Sequence, residues 1–149
     1  MTKIRNYDGT LDELVFSIGN LHYDVTSMVL KKTADNLVKK TYAVNSSKLR
    51  DIANCIYETT EHIDKAWTYC KDKMDCSKHP RQIPDFYGTI DDLAQDVSNA
   101  SDKYITIFLD KLGDDFRRQA DADWKRGRKK LATELYNAAN CLYKVKMEV

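Results

Sequence analysis

Gly9-Thr10-Leu11-Asp12-Glu13-Leu14 is answered, 79 positions later and with no gap between, by Gly88-Thr89-Ile90-Asp91-Asp92-Leu93. The correspondence runs from residue 9 to residue 65, with identities at Asn20/Asn99, Leu30/Leu109, Lys32/Lys111, Asp35/Asp114, Ala53/Ala132, Tyr57/Tyr136 and Lys65/Lys144. Conservative pairs such as Ile18/Val97, Ile52/Leu131, Ile56/Leu135 and Ile63/Leu142 fill the intervals. About eleven identities in about 57 gapless pairs exceed the roughly one in seventeen that composition alone supplies. The reading is a duplicated unit.

Working outward, the apolar residues fall at spacings of three and four, the signature of helices that bury one face. A first segment carries Leu11, Leu14, Ile18, Leu21, His22, Val25 and Val29, and a second carries Leu49, Ile52, Ile56, Ile63 and Trp67. The third (Ile90, Leu93, Val97, Tyr104, Ile107) and fourth (Leu131, Leu135, Ala138, Leu142, Val145) repeat the pattern. Thr10-x-x-Glu13 and Thr89-x-x-Asp92 read as capping boxes, in which each threonine accepts from an orphan amide and each acid sits at the positive end of the helix. Both prolines, Pro80 and Pro84, lie between the copies and mark a central loop. The expected fold is therefore all-α: one domain over 1–149, with hairpins at 9–75 and 88–147 joined as an up-down-up-down four-helix bundle. Asp121 or Asp123 would cap the fourth helix, with Gly113-Asp114 as a rival boundary.

A net charge of +1 hides an uneven distribution. Residues 31–50 hold six cations (Lys31, Lys32, Lys39, Lys40, Lys48, Arg50) against Asp35 alone, and residues 110–130 hold eight against five acids. The eight are Lys111, Arg117, Arg118, Lys125, Arg126, Arg128, Lys129 and Lys130. In an up-down-up-down bundle both windows fall at the hairpin tips and form one basic pole. Cations that open a helix face the positive end of its dipole, at about 0.3–1 kcal/mol each, and a bound anion relieves that cost. Nucleic acid is one source of such an anion, with Trp124 and Tyr42 available for stacking.

A second candidate surface is the heptad line Phe16, Tyr23, Leu30, Leu37, which on one continuous helix points away from the Leu11-Ile18-Val25 face. Its counterparts are Gln95, Asp102, Leu109 and Phe116, so Phe16 and Tyr23 are apolar where the second copy is polar. This line is expected to meet another protein chain, most simply a second copy in a homodimer. Protein contact through it is the first functional expectation, and binding of nucleic acid or another polyanion at the basic pole is the alternative.

No catalytic set emerges, so no enzymatic activity, cofactor or metal is expected. Cys76-x-x-His79 has ligand-like spacing, but Cys70 and His62 stand too far apart along a helix to share one ion with it. Cys55 and Cys141 read as small buried hydrophobes, His22 as an inward core histidine and His62 as outward-facing. Glu58, Glu61, Asp64, Asp96 and Asp102 read as solvated carboxylates rather than a magnesium site. There is no P-loop, nucleophile elbow or dinucleotide fingerprint. The opening Met-Thr-Lys-Ile-Arg-Asn-Tyr-Asp lacks the apolar stretch of a secretion signal and no run is long enough to span a bilayer, so a cytoplasmic location with reduced thiols is expected.

Overall fold

The computed structural model describes residues 7, 9–44, 46–70, 83 and 86–147. Among them are six helices: α1 (Leu11–Gly19), α2 (Tyr23–Val44), α3 (Ser47–Cys70), α4 (Ile90–Ser98), α5 (Asp102–Lys125) and α6 (Lys129–Met147). The described residues form no strand, only an isolated antiparallel bridge between Tyr7 and Phe86. Both capping boxes are present, with Glu13 N and Asp92 N donating to Thr10 Oγ1 and Thr89 Oγ1 at 3.2 and 3.1 Å.

The count of six differs from the expected four because the first and third amphipathic stretches each break at an asparagine. Asn20 closes α1: its backbone amide and its Nδ2 both donate to the Phe16 carbonyl, at 3.1 and 2.7 Å. Thr26 Oγ1, entirely buried, donates to the Ile18 carbonyl at 2.9 Å and so satisfies an acceptor that a continuous helix would have used. Asn99 ends α4 through its backbone amide, which donates to the Gln95 carbonyl at 2.9 Å beside the Ser98 hydroxyl, and Ser101 opens α5 by accepting from Tyr104 N at 3.1 Å.

Side-chain pairs set the directions of the helices. Asp64 accepts from Ser27 and Lys31 at 2.6 and 2.8 Å and Tyr57 donates to Asp35, so α2 and α3 run antiparallel. Tyr136 donates to Asp121 and Tyr143 to Asp114, so α5 and α6 do as well. His62 lies 2.8 Å from Glu134, Lys130 stands over the Tyr69 ring at 6.0 Å, and Lys144 reaches Glu58 at 3.6 Å. Numbers rise along α3 as they fall along α6, making this third pair antiparallel too. The long helices therefore run up-down-down-up rather than up-down-up-down. The start of α3 lies toward the C-terminal end of α6 and the bend at 126–128 beside the C-terminal end of α3, so the α2–α3 and α5–α6 connections fall at opposite ends of the bundle of long helices. The single basic pole expected at two adjacent tips does not form.

The short helices cross between the halves. α1 packs on α5, with Asp12 paired to Lys111 at 2.8 Å and Gln119 Nε2 donating to the Gly19 carbonyl at 2.5 Å. α4 packs on α2 through the corresponding positions: Asp91 with Lys32 at 2.6 Å and Lys40 Nζ donating to the Ser98 carbonyl at 3.1 Å. One core holds all six helices, its largest fully buried side chains including Phe108, Phe116, Leu14, Ile18, Leu30, Ile56 and Leu93.

Where α1 meets α5 the backbone comes so close that a Cβ on Gly19 would overlap the Asp115 carboxylate. That carboxylate cannot swing aside freely, because Asn20, Arg118 and Gln119 all donate to it. Gly19→Ala is therefore expected to cost about 1–3 kcal/mol through the displaced buried hydrogen bonds. A urea titration showing a stability equal to the parent's would contradict this account.

The tyrosine ties between paired helices also predict a response to alkali. Burial, and then the hydrogen bond to Asp35, raises the Tyr57 phenol to about 12; burial, and then Asp114, does the same for Tyr143. A group whose folded pKa lies above its ordinary value of 10 stabilises the fold fully below pH 10 and loses that contribution as pH climbs to about 12. Stability should fall across this window, and Tyr57→Phe combined with Tyr143→Phe should flatten the fall.

Candidate functional site

Of the heptad line, Phe16 alone reaches solvent, at 56 % exposure, while Tyr23, Leu30 and Leu37 are buried. The break at residues 20–22 separates Phe16 on α1 from the other three on α2. α2 is covered on one side by α3 and on another by α4, so it buries more than one face. Tyr23 points into the α1–α5 junction, where its hydroxyl donates to Gln119 Oε1 at 3.2 Å. Burial, and then the charges of Asp123 and Asp115, push this phenol well above its ordinary range. The outer side of Phe16 carries the Arg118 guanidinium, 5.4 Å from the ring centroid.

The candidate cations divide in the same way. At the first bend, Lys40 holds the Ser98 carbonyl and Lys48 faces Asp102 at 3.9 Å; Lys39 and Arg50 are exposed. Arg118 is engaged with Asp115 at 2.9 Å, and Arg117 lies near Tyr143. The second bend differs. Lys125, Arg126, Lys129 and Lys130 are exposed, and among the described residues no carboxylate lies within ion-pair range of any of them. Arg128, between them, is 3.5 Å from Asp123.

Local sequence explains the shape of this bend. Gly127 adopts φ +82°, a left-handed value that favours glycine, and Gly127 N and Arg128 N donate to the Trp124 and Asp123 carbonyls at 3.0 and 2.9 Å. This Schellman closure ends α5 and releases the chain directly into α6. The fourth long helix thus starts at Lys129, later than either boundary the sequence suggests, and its first turn has two lysines and no acid. The amide end of a 19-residue helix therefore meets positive side chains.

Beside the bend lies a groove of about 820 Å³, lined by Thr68 and Tyr69 from the end of α3 and by Gly127, Arg128, Lys129, Lys130 and Leu131. Trp124, 47 % exposed, is not part of this lining but meets it through Lys129, whose Nζ is 5.3 Å from the Trp124 ring centroid. Tyr69, 38 % exposed, has Lys130 over its ring. Tyr69 and Thr68 are absent from the sequence-derived set; only the antiparallel register of α3 and α6 brings them here. Tyr42, at 80 % exposure, belongs to the other end of the protein.

The remaining candidates do not converge. His22 is buried against Trp67, ring centroids 4.4 Å apart, and contacts Asp24. His62 does not face outward; it is half-buried in the α3–α6 seam with Glu134. Cys141 is buried, and its thiol is raised to about 11 by burial and then by Glu58, the opposite of an activated nucleophile. Asp64 and Asp102 are paired to lysines and Glu58 to Lys144. No group of three or more metal-ligating side chains occurs among the described residues; Cys76, His79 and the Cys70 side chain lie outside them. No described helix is long and apolar enough to cross a membrane. No known protein family, curated protein or solved structure matches the chain.

Proposed function

We propose that the protein is a non-enzymatic polyanion-binding module, and that it grips phosphate-rich ligands with the α5–α6 bend alone. The observation that carries this reading is the run 124–130, Trp-Lys-Arg-Gly-Arg-Lys-Lys, which sets five cations beside an open groove at the start of α6. Lysines at that position oppose the helix dipole at about 0.3–1 kcal/mol each, a cost that an anion seated between them offsets. The competing expectation, a protein contact along helix one, retains Phe16 and loses Tyr23, Leu30 and Leu37 to the core.

We also infer that the six helices descend from two copies of a three-helix unit. The 79-residue offset relates the starts of α1 and α4 and those of α2 and α5, and it relates the pairs Asp12–Lys111 and Asp91–Lys32. On that alignment 124–130 corresponds to 45–51, Asn-Ser-Ser-Lys-Leu-Arg-Asp, so the basic cluster belongs to the second copy.

The test is an anisotropy titration with fluorescently labelled inorganic polyphosphate at low salt. Binding should weaken steeply as salt rises, because each neutralised phosphate releases counterions. The combined variant Lys125→Glu, Arg126→Glu, Lys129→Glu, Lys130→Glu should lose at least about tenfold in affinity, while Lys39→Glu with Arg50→Glu at the far bend should not. Absence of binding by the parent protein at low salt would end the proposal, and equal losses in both variants would end its assignment to one bend.

A further inference from the structure

We infer that the ligand of the α5–α6 bend is single-stranded nucleic acid, whose unpaired bases stack on Trp124 and Tyr69 while its phosphates lie on the lysines between. The inference rests on the polyanion reading and adds to it what the aromatic rings contribute. A site that recognised charge alone would need no exposed tryptophan. Here Tyr69, from the last turn of α3, lines the groove at 38 % exposure, and Trp124, from the last turn of α5, is 47 % exposed beside Lys129, a lining residue.

Each ring has its own cation, and the two cations are consecutive in the chain: Lys129 Nζ is 5.3 Å from the Trp124 centroid and Lys130 Nζ is 6.0 Å from that of Tyr69. The protein thus presents, twice in succession, a flat π-face a few ångströms from a positive charge. A nucleotide presents the complement, a flat base a few ångströms from a negative phosphate. Stacking of this kind tolerates any base, because every base has a π-face, and it requires that the base be unpaired. A duplex keeps its bases stacked on one another and would engage only the cations. Lysine heads on flexible stems can slide from the ring to the phosphate as a base takes their place, so the free protein keeps its rings partly covered without closing the site.

The open left-handed turn at Gly127 adds room. A Cβ at this position would meet nothing within 4 Å, so the backbone there is accessible to a strand passing over it.

The experiment compares a labelled oligothymidylate, a hairpin duplex, inorganic polyphosphate of matched charge and vesicles of anionic phospholipid on the intact protein at one low salt concentration. The oligothymidylate should bind tightest and quench tryptophan fluorescence. Trp124→Ala should weaken it by about five- to a hundredfold, abolish the quench, and leave polyphosphate affinity unchanged. Lys129→Gln with Lys130→Gln should weaken both ligands and lower the salt dependence of each. Circular dichroism of each variant confirms that the fold is kept, and Trp124→Phe, which retains a ring, should restore most of the oligothymidylate affinity if Trp124→Ala is compromised. Equal affinity for oligothymidylate and polyphosphate with no effect of Trp124→Ala would overturn the inference and leave the polyanion reading standing. Preference for the duplex or for vesicles would overturn it as well, and failure of every anion to bind would remove both.

Discussion

Leu30→Ala is expected to destabilise the protein by about 2–5 kcal/mol, the range for truncating a fully buried leucine. Leu30 has no solvent exposure and belongs to the same core as Leu37, Phe108 and Phe116. On one unbroken helix the same residue would lie on an outer stripe, and its loss would weaken association with a partner while leaving the monomer's stability nearly intact. The two accounts separate most clearly when Phe16 is included. Phe16, 56 % exposed, should cost well under the Leu30 value when cut to alanine, losing only its contact with Arg118 and residual burial. Urea titrations of both variants decide the matter: comparable midpoints for Leu30→Ala and Phe16→Ala would restore the stripe to the surface.

Asp115→Ala should be the most damaging polar substitution, at about 3 kcal/mol, because it strips one acceptor from several donors together. Asp115 Oδ1 receives Arg118 Nε and Nη2 at 3.2 and 2.9 Å, and Oδ2 receives Gln119 Nε2 at 3.0 Å and Asn20 Nδ2 at 3.3 Å. Gln119 in turn holds the Gly19 carbonyl and the Tyr23 hydroxyl, so the network fastens the end of α1 and the start of α2 onto α5. Arg118 is half exposed and can turn to water, which keeps the loss below that of a sealed ion pair. Asp115→Asn should retain part of the stability, since it keeps one acceptor oxygen. Hydrogen exchange should show α1 opening first in the alanine variant; uniform loss of protection across all helices would argue that the network is global rather than local.

The helices, the capping boxes and most core positions were legible from periodicity, because burial leaves a mark at every third or fourth residue. The breaks after α1 and α4 were not. Asn20 and Asn99 stand 79 residues apart, but asparagine within an amphipathic pattern is no stop by itself: at Asn20 the side chain folds back onto the Phe16 carbonyl and Thr26 supports the stop from the following helix, and at Asn99 the Ser98 hydroxyl shares the Gln95 carbonyl with the backbone amide. Missing them assigned Tyr23, Leu30 and Leu37 to a surface. Helix direction was likewise beyond reach: the stripes of α3 and α6 fit parallel and antiparallel packing equally, and the choice shows only in His62 with Glu134 and Lys144 with Glu58, contacts between residues far apart in the chain. The basic cluster and Trp124 were visible as residues, and Gly127 is the residue type that ends a helix in a left-handed turn. Tyr69 was not visible as a partner, since only the antiparallel seam brings it to the bend.

The exchange of short helices has a consequence for how the chain holds together. α1 completes the half to which it does not belong, and α4 returns the same service, so neither portion owns a closed core. Each behaves as a subunit of a complex whose partner happens to be tethered, and the tether's role is to keep the effective concentration of that partner high. Fragments 1–78 and 79–149, made separately and mixed, should then find one another and regain helicity in a concentration-dependent manner that neither achieves by itself.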